Sequence, residues 1–130
     1  MININLIIIY INNDKNEIKQ NYFNKDDNIT KIKIILDNEI KSFEKLFYEC
    51  KCIEKIKFAK FKRNNINNMH EMFDECSSLK ELNLDNFNTI NVKDMTYMFS
   101  RCSLLKELNI NKFNTINVKY MTYMLFECPK

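Results

Sequence analysis

Residues 95–109 read MTYMFSRCSLLKELN, and residues 69–83 read MHEMFDECSSLKELN. The similarity continues past these strings, because the segments 69–94 and 95–120 share 17 of 26 positions. A fixed period of 20–50 residues is the signature of a stacked repeat architecture, in which each repeat buries its apolar face against its neighbours. This stretch therefore predicts that the chain is built from coils of one type.

A column of cysteines extends the period over most of the chain. These residues fall 26 positions apart, at Cys50, Cys76, Cys102 and Cys128. We predict two parts: a β-rich N-terminal cap over residues 1–42 and a repeat domain over residues 43–130. The predicted units of the repeat domain are 43–68, 69–94, 95–120 and a partial unit, 121–130.

Each unit combines two apolar patterns. The first has spacings of 3, 3, 1 and 3, which is typical of one face of a short helix, and consists of Val92, Met95, Met98, Phe99 and Cys102. The second has inward positions two apart, which is typical of a strand, and consists of Leu105, Leu108 and Ile110. The predicted fold is therefore α/β, a solenoid with one parallel strand and one short helix per repeat.

Large apolar side chains recur at equivalent positions and are predicted to form the core. They are Met69, Met95, Met121, Met72, Met98, Met124, Phe73 and Phe99. The fourth unit stops before its strand could begin. Two interpretations of that end are open: a longer repeat protein, or a last helix that covers the end of the stack.

The repeated motif resembles a known family. The strings from Leu79 to Leu84 and from Leu105 to Ile110 resemble the core of a leucine-rich repeat. The fuller pattern, from Asn91 to Thr115, is similar to the BspA-type leucine-rich repeat family. The resemblance implies a leucine-rich repeat solenoid and a surface protein of the kind described for bacteria and protists.

Composition and termini narrow the function classes. The net charge of +3 is too small and scattered to favour nucleic acid as a partner. No apolar run approaches the roughly 20 residues of a membrane-spanning helix, and the N-terminus lacks the basic start of a secretion signal. The sequence alone therefore favours the cytoplasm, whereas the resemblance favours the cell surface. The oligomeric state is left open.

Residues that could carry chemistry are few. The chain has no Gly, so Gly-rich phosphate loops are excluded, and turns with positive φ are expected to use Asn or Asp. The repeated cysteines are predicted to be buried, reduced thiols; a metal or redox site beginning at Cys50 and Cys52 is the alternative. His70 is the one histidine and is expected on an exposed helix position. We predict no enzyme activity, cofactor or metal.

The outward positions of the strands are the candidate binding surface, because extended concave faces are where stacked repeats bind partners. They are Lys55, Lys57, Glu81, Asn83, Asp85, Glu107, Asn109 and Asn111. The first functional hypothesis is a non-catalytic leucine-rich repeat module that binds a protein, as a surface or adhesion protein. The alternative is an intracellular scaffold repeat protein with no dedicated ligand, whose polar face is merely solvated.

Overall fold

A computed structural model of the chain describes residues 7–11, 32–36, 40–58 and 64–129. Near the N-terminus, β1 (Ile7–Ile11) and β2 (Ile32–Leu36) pair antiparallel, with Ile7 opposite Leu36. Both strands fall within segments that alternate or run apolar in the sequence. The remainder of the predicted cap, residues 1–6, 12–31 and 37–39, lies outside the described residues.

The repeat region stacks with the period of the sequence. Strand β3 (Lys55–Lys57) pairs in parallel with β4 (Glu81–Asn83), and every paired residue is 26 positions from its partner. Isolated parallel bridges continue the same offset, at Glu81–Glu107 and along a second line, Ser42–Asn68, Asn68–Asp94 and Asp94–Tyr120. Units 1 to 3 therefore each contribute to two lines of backbone pairing.

The predicted helix of each unit is wrong. The described residues contain no α-helix and two short parallel strands, so the α/β leucine-rich repeat solenoid does not describe this chain. In place of a helix lie consecutive turns, in which the amides of Met98 and Ser100 donate to the carbonyls of Met95 and Tyr97. Apolar spacings of 3, 3, 1 and 3 fit an inward-facing run of turns as well as a helix face.

Two left-handed residues in each turn segment rule out a right-handed helix there. In unit 3 they are Tyr97 and Arg101, both with φ of 55°. The equivalent positions of the other units have the same conformation, at Lys45, Glu49, Glu71, Glu75, Tyr123 and Glu127. The expectation that such positions use Asn or Asp is also wrong. A non-Gly residue there costs about 1–2 kcal/mol, which the hydrogen bonds between units must offset.

Those hydrogen bonds follow an alternating rule. One set of amides donates within its own unit, to carbonyls three residues earlier, while the amides between them donate to the next unit. The bonds that start in unit 2 are 2.9–3.0 Å long and join Met69 to Asp94, Glu71 to Thr96, Phe73 to Met98 and Glu75 to Ser100. Each donor lies 25 residues before its acceptor, so all four bonds run in one direction along the stack. Within the turn segments the ladder is therefore polar along the stack, whereas outside them the amides of Lys80, Lys93 and Lys119 donate in the opposite direction, to earlier units.

The core lies between the units and follows the predicted columns. Phe47, Phe73 and Phe99 stack face to face, with ring centroids 5.4 and 5.6 Å apart. The methionines of units 2 and 3 are fully buried, which confirms their predicted place in the core. Met121, in the partial unit, is 50% exposed instead. No helix covers the C-terminal end of the described stack, contrary to one of the two interpretations of that end.

Candidate functional site

The structure places all eight predicted face residues on the surface of the stack. Their inward neighbours are more buried: Leu82 is buried, while Ile56 and Leu108 are partly buried against the core. The alternation arises because successive side chains of a strand point to opposite sides. The sequence therefore assigned the inward and outward positions of β3 and β4 correctly, although it overestimated the regular structure around them.

The backbone register aligns the face residues in rows across the units. Lys55 lies beside Glu81, and Glu81 beside Glu107. The Nζ atom of Lys55 is 2.7 Å from a carboxylate oxygen of Glu81, and both side chains are 64% exposed. Such a solvent-exposed pair contributes at most about 1 kcal/mol. The pair matters more for the charge pattern of the face. Because Glu81 is paired with Lys55, Glu107 is the one carboxylate of that row that takes part in none of the described ion pairs.

Hydrogen bonds between residues two apart fix the backbone just after the strand positions. The Oδ1 atom of Asn83 accepts the amide of Asp85, and Oδ1 of Asn109 accepts the amide of Asn111, each at 3.1 Å. These Asx turns hold the carboxyl and amide groups in the same place in both units. The carbonyl of Asp85 also accepts from Lys112 of the following unit at 3.4 Å. The face is thus a set of preorganised amides and carboxylates.

The cysteine column lies inside the stack and not on this face. Three of its thiols donate to a backbone carbonyl of the preceding unit, for example from Cys76 to Phe47 at 3.0 Å and from Cys102 to Phe73 at 3.2 Å. Burial raises the pKa of Cys50 to about 11 and that of Cys76 to about 12. All five thiols are free in the structure.

The last pair of the column differs from the rest. A hydrogen bond between the side chains of Cys102 and Cys128 raises the pKa of Cys102, which burial raises further, and lowers the pKa of Cys128 to about 7. The Cys128 thiol also donates to the carbonyl of Phe99 at 2.8 Å.

The single histidine has a structural environment. His70 is half-buried, with Nε2 2.7 Å from a carboxylate oxygen of Glu71 and Nδ1 4.0 Å from Asp94. The expected exposed helix position is therefore wrong. The described residues include no group of three or more His, Cys, Asp or Glu side chains placed to hold a metal ion.

A reversal of charge within one column of the stack was missed by sequence reasoning. Arg101 occupies a column whose other members are Glu49, Glu75 and Glu127. Its guanidinium reaches Glu75 at 3.6 Å and Glu127 at 3.3 Å, so that it joins the units on both sides. A comparison of charge at positions 26 residues apart would have revealed this network, since the sign reverses at Arg101 alone.

A protein family matches most of the chain. Its description is "Mycoplasma protein of unknown function, DUF285", and the match covers residues 19–130. The chain belongs to the DUF285 family. The matched region includes the whole described stack of this DUF285 protein. No curated protein and no solved structure matches it. Over the described ranges, this DUF285 chain has no helix of the length and apolarity that crossing a bilayer requires.

Proposed function

We propose that this chain is a non-catalytic repeat module that binds a protein partner through the strand face, and that it acts as a surface or adhesion protein. The main support for the proposal is one observation. Eight polar side chains are exposed in rows, and hydrogen bonds between the units hold the backbone that bears them. Preorganised surfaces lose less entropy on association than mobile ones. The similarity of the repeat motif to the BspA-type family supports the surface role.

The charges of the face indicate what the partner offers. Lys55 and Lys57 lie in unit 1, whereas the carboxylates of Glu81, Asp85 and Glu107 lie in units 2 and 3. With Lys55 paired to Glu81, Asp85 and Glu107 are the carboxylates that remain among the eight face residues in units 2 and 3. Electrostatic complementarity favours a partner with basic residues over this region and steers its approach.

Site-specific photocrosslinking in the native cells tests the proposal. A photoreactive residue is placed at Asn83 or Asn109 on the face, and at Lys93 or Lys119 as exposed controls elsewhere on the coil. We expect one protein adduct from the face positions and none of the same mass from the control positions. Adducts shared by both sets, or absent from the face positions, would contradict binding through this face.

The thiol column supports a second candidate, an intracellular scaffold without a dedicated ligand. Three of its thiols are engaged as hydrogen-bond donors to backbone carbonyls, and thiols stay reduced in intracellular compartments. Protease treatment of intact and permeabilised cells distinguishes the two. Cleavage on intact cells supports the surface role, whereas protection until permeabilisation supports the scaffold.

A further inference from the structure

A second row of exposed residues crosses the units, along the other line of backbone pairing. The amide of Lys119 donates to the carbonyl of Lys93, and the amide of Lys93 donates to the carbonyl of Asn67, both at 2.8 Å. The amide of Asn67 continues the row to Lys41, again at 2.8 Å. All four residues, here called the lysine row, are exposed. Their backbones lie about 4.8 Å apart from coil to coil, so the three lysines stand in a fixed line.

The exposure of this row is a property of the interior of the stack. Lys93 is exposed although its coil is bonded to a coil on each side, at Asn67 and at Lys119. The residue before it, Val92, is fully buried, and so is Ile66 before Asn67. Successive residues of extended backbone point to opposite sides. The burial of the apolar residue therefore turns the next side chain of each coil outward.

The lysine row is a region of positive charge that no described carboxylate neutralises. Lys41, Lys93 and Lys119 take part in none of the described ion pairs. Four other lysines of the described stack lie 2.7–3.3 Å from a glutamate carboxylate of a neighbouring unit; they are Lys45, Lys51, Lys55 and Lys80. The row therefore differs from the rest of the basic surface in being available to an external anion.

The described carboxylates closest to the row along the chain have hydrogen bonds of their own. Asp94 is half-buried, and its Oδ1 atom accepts the amide of Thr96 at 2.8 Å. Glu44 accepts the side-chain amide of Asn68 at 3.1 Å. These bonds hold both carboxylates on partners outside the lysine row.

A line of amide oxygens runs beside the lysines. Asn91 and Asn117 are exposed, and each lies two positions before a lysine of the row. Their Nδ2 atoms donate to the carbonyls of Asn64 at 2.6 Å and of Ile90 at 2.7 Å. Because Nδ2 is held in this way, each Oδ1 atom is fixed as an acceptor, and no described hydrogen bond uses it. Two successive coils thus offer one ammonium donor and one amide acceptor each.

We propose that the lysine row binds an acidic polysaccharide, a linear polymer of uronic acids that lies along the stack. Its carboxylates accept from the lysines, and its hydroxyl groups donate to the Oδ1 atoms of Asn91 and Asn117. Each ring of such a polymer carries one carboxylate and free hydroxyl groups, so both groups recur at an interval similar to that of the coils. Single-stranded nucleic acid is favoured by aromatic side chains on which bases stack, and the row has no aromatic member. The site is distinct from the strand face and is independent of the protein partner proposed there.

Titration of the full chain with labelled oligogalacturonate, followed by fluorescence anisotropy, tests the proposal. Two matched probes separate its parts: the methyl ester keeps the hydroxyl groups and loses the charge, whereas polyglutamate keeps carboxylates and lacks the hydroxyl groups. We expect both to bind about tenfold more weakly than oligogalacturonate, and we expect salt to weaken its binding because exposed charges are screened. Absence of binding up to about 1 mM overturns the proposal. Equal affinity for polyglutamate overturns the assignment to a polysaccharide.

A pair of variants locates the site. Lys93→Gln removes a charge from the row, and Lys106→Gln removes the same charge at an exposed position outside it. Lys93→Gln should weaken binding about threefold, as the loss of one exposed charge contact does, and Lys106→Gln should change it far less. The urea midpoint of both variants should equal that of the parent, because exposed substitutions rarely affect stability. Equal losses of affinity would show a response to net charge alone and would refute binding at the row.

Two other polyanions serve as competitors. Tighter binding of a single-stranded oligonucleotide, or of vesicles that contain phosphatidylglycerol, would overturn the assignment to a polysaccharide if Lys93→Gln weakened that binding as well. Displacement of neither labelled oligogalacturonate nor its bound signal by these competitors at equal charge supports the assignment.

Discussion

In the turn segment of unit 1, Gly should stabilise the fold relative to Ala at position 49 and destabilise it relative to Ala at position 44. Glu49 has φ of 56° and Glu44 does not have positive φ, although both are exposed in unit 1. The comparison uses Ala and Gly at each position, Glu49→Ala against Glu49→Gly and Glu44→Ala against Glu44→Gly. Side-chain contacts of the two glutamates then cancel, and the backbone conformation is isolated.

The expected free energies follow from the backbone. At either position, Gly loses about 0.5–1 kcal/mol relative to Ala through the entropy of the unfolded chain. At Glu49, Gly also removes the left-handed penalty of about 1–2 kcal/mol. The change from Ala to Gly should therefore raise the free energy of unfolding by about 0–1.5 kcal/mol at 49 and lower it by about 0.5–1 kcal/mol at 44. The two positions should differ by about 1–2 kcal/mol.

Urea unfolding followed by circular dichroism measures the four variants. The hydrogen bond from the Glu49 amide to Asp74, 2.9 Å long, remains in each of them because none introduces Pro. Unchanged urea dependence would show that the variants unfold from the same folded state. If Gly destabilised both positions by about 1 kcal/mol, as it does inside a helix, the left-handed turns would be wrong and the helix indicated by the apolar spacing would be right.

Three further predictions concern the core, one buried carboxyl and the thiols. Leu82→Asp should lower the free energy of unfolding by several kcal/mol because it buries an unpaired charge, whereas Glu81→Ala should change it by less than about 0.5 kcal/mol; equal losses in thermal melts would contradict the inward and outward assignment. Burial raises the pKa of Asp74, although Ser100 and Arg101 oppose the shift. The folded state therefore holds that proton more tightly than the unfolded chain, and stability is lost as the pH rises through the folded pKa. Asp74→Asn should be more stable than the parent at neutral pH and equal to it in acid, and a constant difference in urea unfolding across pH would refute this. With a thiol reagent at pH 8, exposed Cys52 should react faster than buried Cys76, whose pKa is raised to about 12 and which should react at the rate of global unfolding; fast labelling of Cys76 in the folded chain would show that its burial is wrong.

The sequence predicted the stacking of the units and the side-chain orientation better than the local backbone conformation. Positions 26 residues apart do lie next to each other, as Lys55 and Glu81 do. The alternation around Leu82 separated inward from outward residues. The local conformation between Val92 and Cys102 was predicted wrongly, because a helix and a run of turns bury residues at similar spacings. Nothing in the residue types at Tyr97 or Arg101 indicates positive φ, which is rare for non-Gly residues.

The sequence by itself determined the period, the register and the composition of the core, because equivalent apolar residues must coincide when coils stack. Only the tertiary structure decided where the amides of each turn segment donate. That choice depends on a neighbouring unit about 25 residues away, and a local pattern carries no information about a partner so distant in the chain. The polarity of the ladder follows from this non-local pairing.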